Sequence, residues 1–159
     1  MNRTSILKLF GSIMACELVG ASGAIFNVTA IPTWYATLTR PSLAPPNWIF
    51  GPVWTSLFLL MGIALWLVWD GGVKRREVRI ALWLFVWQFA LNVLWSALFF
   101  GLRNPGAALI EIIVLWGSIV ATIMAFRKVS WPAAWLLAPY LLWVSFAAYL
   151  NAAFWWLNR

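Results

Sequence analysis

Three stretches of the chain set aromatic and amide side chains at helical spacing, in a pattern suited to holding a flat molecule. Gln88, Asn92, Trp95 and Phe99 recur at i, i+4, i+7 and i+11, which places two amides and two rings on one helix face. Tyr140, Trp143, Ala147, Leu150 and Phe154 keep the same rhythm, and Trp54, Phe58, Met61 and Leu65 repeat it. Ala147, small between bulky neighbours, leaves room on its face. Turned toward one another, these faces would line a cavity for a flat, largely apolar ligand, with Asn92, Gln88 and the indole N–H groups supplying a few oriented polar contacts. Plain packing is the other reading of Trp54, Trp95 and Trp143, and spacing leaves both open. Trp66, Trp69, Trp83, Trp131, Trp155 and Trp156 fall near helix ends and read as an interfacial belt.

The residue inventory narrows the chemistry. There is no histidine, which removes the commonest axial haem ligand and the usual neutral-pH proton shuttle. Cys16 is the only cysteine, so an internal disulfide and a multi-cysteine metal site are excluded, and it reads as a small buried apolar residue. No acid/base pair, nucleophile or metal-ligand spacing stands out, so no catalytic residue, metal ligand or required cofactor is assigned. Two acids, Glu17 and Glu111, fall inside apolar runs, where an ionised carboxylate is costly; each should face the interior, carry a proton or find donors. Glu111, Leu115, Ser118 and Thr122 share a face. A proton or ion path is one reading of that seam. Hydrogen bonding between helices is the favoured one, because no intramembrane Lys, Arg or His offers a relay partner.

The elements that must carry these faces follow from composition. Of the 159 residues, 64% are hydrophobic and 9% charged, far below the quarter usual in a soluble domain. The chain therefore reads as an all-α integral membrane protein, one domain over 1–159, with five transmembrane helices near 5–26, 47–69, 79–100, 105–126 and 132–156. The net charge of +7 is not a nucleic-acid signature, since the bases lie between apolar runs and not on one solvated face. They mark topology. Arg3, Lys8, Lys74, Arg75, Arg76, Arg79, Arg127 and Lys128 fall on the N-terminal side, against Arg40, Arg103 and Arg159 on the other, which predicts an inside N-terminus and an outside C-terminus.

Asn104 with Pro105, and Ser130 with Pro132, give a cap and an early proline to the fourth and fifth helices. Only the connection over 27–46 is long. It predicts a short interfacial helix at 33–38 and a stiff extended stretch, together a lid-like loop between the first two helices. Arg3, Lys8 and the small residues Ala21, Ser22, Gly23 and Ala24 also fit a removable leader, but a permanent first span is the preferred reading. Gly11 with Ala15 and Gly20 with Ala24 are small pairs at i, i+4, suited to close contact with a neighbouring helix or a second subunit. No internal repeat is evident.

The run Trp34-Tyr35-Ala36, then Arg40-Pro41-Ser42-Leu43-Ala44-Pro45-Pro46-Asn47-Trp48-Ile49-Phe50-Gly51-Pro52-Val53-Trp54, resembles the tryptophan-rich sensory protein family (TspO/MBR), which includes the translocator protein or peripheral-type benzodiazepine receptor. Gln88-Phe89-Ala90-Leu91-Asn92, Trp95, Phe99-Phe100-Gly101, Pro139-Tyr140-Leu141-Leu142-Trp143, Phe146-Ala147 and Leu150-Asn151 extend the likeness. The resemblance implies a five-helix bundle, a homodimer, in a lipid bilayer, with porphyrins and related tetrapyrroles as ligands and sterols in some members. It implies a pocket closed by the loop holding Trp34 and Pro45 and lined by Trp54, Asn92, Trp95, Tyr140, Trp143, Ala147 and Leu150. Leu43 and Ala107 stand where relatives often carry aromatics, so ligand order does not transfer; Ala152 stands where the animal sterol motif needs a tyrosine, which speaks against cholesterol recognition.

The leading function is a receptor or carrier for porphyrin-like or other hydrophobic small molecules. The porphyrin plane would stack on indoles, with its acids toward Arg40 or Arg103. Light-dependent porphyrin degradation is an alternative that the resemblance alone implies. Transport through the bundle, on Glu17, Glu111, Ser118 and Thr122, is a third.

Overall fold

The computed structural model describes residues 3–159, all helix, turn or loop, with no strand among them. Helix α1 (Arg3–Ala30) is followed by a π turn at Ile31–Tyr35. A 3-10 turn at Asn47–Ile49 leads into α2 (Phe50–Asp70). Helix α3 (Arg76–Ser96) ends in a second π turn, Ala97–Gly101. Helix α4 (Pro105–Arg127) precedes a short α5 (Trp131–Leu136) and then α6 (Ala138–Leu157). Five spans long and apolar enough to cross a membrane result: Arg3–Tyr35, Asn47–Asp70, Arg76–Gly101, Pro105–Arg127 and Trp131–Leu157. The chain is thus an all-α, multi-pass integral membrane protein.

Three local expectations change. The separate interfacial helix at 33–38 is instead the end of the first span, which runs on past residue 26. Its polar residues do not stop it because they are absorbed: Thr33 Oγ1 donates to Thr29 O at 2.6 Å and Thr37 Oγ1 to Trp34 O at 2.7 Å. Pro32 has no N–H for the preceding turn, and the helix widens into the π turn there and does not end. The fifth span is broken at Leu137, because Pro139 cannot donate to the turn before it. The third span begins at Arg76, three residues earlier than 79.

The caps form as their residue types require. Asn104 Oδ1 accepts from Ala107 N at 3.0 Å, and Ser130 Oγ from Ala133 N at 3.4 Å. Gly72, at φ +93°, makes the bend between α2 and α3 that a side chain would resist, and Arg79 Nη1 closes it onto Lys74 O at 3.0 Å.

Helix α1 packs on α2 and α3, α3 on α4, α4 on α6, and α2 on α5. The main core lies between α2, α3, α4 and α6, where Phe85 stacks on Phe126 (centroids 5.7 Å) beside Met61, Ile112, Ile119 and Val144. A second cluster fills the loop end with Tyr35, Phe99, Ala108, Leu150 and Phe154. Outward faces carry large apolar side chains along their length, among them Leu7, Phe10, Ile25, Trp83, Ile110 and Leu142, as a lipid solvent favours. At the opposite end Ser5 Oγ donates to Asp70 Oδ2 at 2.9 Å and Lys8 Nζ pairs with Asp70 Oδ1 at 3.2 Å.

The 38–46 loop is fastened at both flanks. Asn158 Oδ1 accepts from Thr39 N at 2.8 Å while its Nδ2 donates to Thr39 O at 3.1 Å, joining loop and last turn across 119 residues. Arg40 Nη2 donates to Pro45 O at 2.9 Å and to Asn47 Oδ1 at 3.3 Å, and its guanidinium lies 5.8 Å from the Tyr35 ring centroid.

Two expected outcomes follow. At Gly62 an added Cβ would lie 2.6 Å from Ile13 Cα, a backbone atom, whereas Gly11 has nothing within 4 Å. Gly62→Ala should lower stability by about 1–3 kcal/mol and Gly11→Ala should be near neutral, read as thermal midpoints in detergent. Asn158→Ala removes the two hydrogen bonds to Thr39 and a third, from Nδ2 to Phe154 O, of roughly 1 kcal/mol each. It should raise amide exchange over the loop while leaving the helices protected.

Candidate functional site

A chamber of about 370 Å³ lies between α1, α2, α3 and α6, a volume within the range that takes drug-sized molecules. Its aromatic wall is built by Trp54 and Phe58 of α2, Trp95 of α3 and Trp143 of α6, with Ala147 beside Trp143. Each ring is held. Trp54 stacks on Phe58 (5.3 Å, 25°), Trp95 stacks on Phe99 (5.2 Å, 26°), and Trp143 meets Phe50 edge-on at 6.0 Å. The Trp95 indole N–H also donates to Asn151 Oδ1 at 3.0 Å, and Asn151 Nδ2 donates to Pro105 O at 2.7 Å. That relay ties α3, α4 and α6 at one level.

Behind the wall lies a buried polar chain. Asn92 Nδ2 donates to Tyr140 Oη at 3.1 Å, and Tyr140 Oη donates to Gln88 Oε1 at 3.0 Å. Gln88 and Tyr140 are each 1% exposed, so this chain joins α3 to α6 where no water competes. Tyr140 supports Trp54 from the rear at 6.3 Å.

Of the ten residues singled out from the sequence, Trp54, Asn92, Trp95, Trp143 and Ala147 line the chamber. Gln88 and Tyr140 stand one layer back. Leu150 is buried in the loop-end cluster with Tyr35 and Phe154. Trp34 meets Phe99 edge-on at 5.8 Å, and Pro45 is engaged through its carbonyl by Arg40. Neither lines the chamber, and its loop end is formed by Tyr35, Asn47 and Phe50 instead.

The α1 wall is the part that the sequence reading missed. Glu17, Gly20, Gly23, Ala24 and Asn27 all line the chamber. The absence of a Cβ at Gly20 lets the Phe58 ring lie directly against α1, and one at Gly23 would sit 3.6 Å from Ser96 Oγ. The signal was present: Glu17, Gly20, Ala24 and Asn27 repeat at helical steps as small and polar residues on one face. The chamber is open at one side, since Ala21, Ala24 and Val28 of α1 and Gly51 and Thr55 of α2 line it while remaining exposed.

The α4 seam behaves differently from a bridge between helices. Ser118 Oγ donates to Val114 O and Thr122 Oγ1 to Ser118 O, both within α4. Besides the Asn151–Pro105 bond, α4 meets α6 through Trp116 Nε1, which donates to Ser145 Oγ at 2.9 Å. Glu111 is 7% exposed, and neither of its carboxyl oxygens has a hydrogen-bond partner among the described residues. No cluster of three or more His, Cys, Asp or Glu side chains forms among them.

The sequence has relatives among known proteins. The sequence model of the TspO/MBR family matches residues 12–157. The chain is 49% identical to the tryptophan-rich protein TspO of Chlorobaculum tepidum over 95% of each. It is 44% identical to the translocator protein of Homo sapiens over 77% of this chain and 73% of that protein. To the tryptophan-rich sensory protein of Cereibacter sphaeroides it is 34% identical, over 87% and 84% respectively. The chain is accordingly an integral membrane protein that belongs to the TspO/MBR family.

Proposed function

We propose that this protein is a membrane receptor or carrier for porphyrins and similar flat hydrophobic molecules, bound in the chamber beside the 38–46 loop. The carrying observation is the indole wall: Trp54, Trp95 and Trp143 converge on one 370 Å³ space from three helices. Indoles present broad faces to a planar guest at little conformational cost. A tetrapyrrole would enter through the open side between α1 and α2 and stack on that wall, its acid edge directed to the loop near Arg40. Kinship with proteins named translocator protein and tryptophan-rich sensory protein supports a receptor or sensing role. In this reading the protein is a homodimer with its N-terminus inside and its C-terminus outside, as the excess of basic residues on the N-terminal side favours.

Titrating protoporphyrin against tryptophan fluorescence in nanodiscs tests the reading. Trp143→Ala should weaken binding about tenfold, as loss of a large aromatic anchor does, and Ala147→Phe should weaken it comparably by filling the space. Unchanged affinity in both variants would remove the chamber as the binding site. For orientation and assembly, a Cys16→Ser background carrying Lys74→Cys should label with maleimide only from inside. The same background carrying Gly11→Cys should cross-link to a second copy. Outside labelling, or no cross-link, refutes the corresponding claim.

A further inference from the structure

The chamber's walls are chemically unequal. Its only acidic side chain is Glu17, and no lysine or arginine lines it. Glu17 has no ion pair or hydrogen bond among the described residues. Asn27, also lining it, holds a buried Oδ1 with no hydrogen-bond partner. Two of the donors nearby are committed elsewhere: Asn92 Nδ2 to Tyr140, and the Trp95 indole N–H to Asn151. Along α1 the chamber offers acceptors, while Arg40 sits at the loop end bonded to Pro45 O and Asn47 Oδ1. A buried acceptor without a donor costs free energy that a matching guest recovers.

We propose that Glu17 and Asn27 form a donor-recognising wall. The site then selects, among flat apolar molecules, those carrying an N–H group, a protonated amine above all, on the edge turned to α1. The ammonium group meets the Glu17 carboxylate in a charge-assisted hydrogen bond, the stronger kind in a site that excludes water. Any acid group on the guest takes the opposite edge, toward Arg40. The inference rests on the reading that a flat guest occupies the chamber, but not on that guest being a porphyrin.

The test uses the whole protein in nanodiscs and two probes that differ in one heavy atom, pyrene bearing an aminomethyl group and pyrene bearing an ethyl group. Affinities are read by energy transfer from tryptophan and corrected with empty nanodiscs. Comparing the amine-to-ethyl ratio across variants cancels differences in partitioning. That ratio should fall about tenfold in Glu17→Gln, with the ethyl probe binding as before. A ratio that stays within about twofold of wild type overturns the proposal. So does failure of both probes to bind the wild type. Should Glu17→Gln not fold, Glu17→Ala is read under the same criterion, and Asn27→Leu, about 15 Å further along α1, serves as the control that leaves this probe's ratio in place. Protoporphyrin run alongside separates the two claims: no porphyrin binding with the amine preference intact removes the porphyrin reading and leaves the donor wall standing.

Discussion

Hydrocarbon offers a polar side chain nothing to bond, and the amide and phenol groups between α3 and α6 find their partners in one another. The two relays between α3 and α6 carry this constraint. Asn92, Tyr140 and Gln88 form one, and Trp95, Asn151 and Pro105 the other. Because hydrophobic driving force between helices is weak in lipid, such bonds and close packing fix which faces meet. Here they fix the rear of the aromatic wall. Trp54 leans on Tyr140 and Trp95 is tied to Asn151, so the rings that face the chamber are set by hydrogen bonds one layer behind them. Positioning and stability are the same contacts.

The opposite wall rests on a different physical device. Helix α1 approaches α2 closely where Gly62 meets Ile13 and where Gly20 meets the ring of Phe58. Toward the loop end the lining of both helices is small and partly exposed, through Ala24, Val28, Gly51 and Thr55. Close contact below and small residues above make a space that is closed at its floor and open at its side. Membership of the TspO/MBR family accords with this architecture, and the α1 face gives the chamber a polarity that its indoles alone would lack.

Much of this was legible in the sequence. Composition and five apolar runs specified an all-helical membrane bundle, and the caps at Asn104 and Ser130 were readable from residue type. The rings of α2, α3 and α6 were legible because aromatic and amide side chains recur at helical steps. Two things were hidden. Thr33 and Thr37 looked like loop residues, but their hydroxyls bond to the helix's own carbonyls and let it continue. The α1 wall was hidden because glycine and alanine announce close approach without saying to what: Gly20 admits Phe58, Gly23 faces Ser96, and Ala24 lines the open side of the chamber. Trp34 and Pro45 were placed at the site by resemblance, and Leu150 by helical spacing as well; Trp34 and Leu150 instead pack with Tyr35 and Phe99 at the loop end, and the Pro45 carbonyl is taken by Arg40.

The pair of hydrogen bonds between Asn158 and Thr39 has a mechanical corollary. A segment already pinned at its far flank by Arg40 is coupled here to the final turn of the last span. Displacing the segment would therefore strain or release that coupling, and the closing turn of α6, where Arg159 rests over the ring of Trp156 with its guanidinium 3.4 Å from the centroid, would bear part of the load.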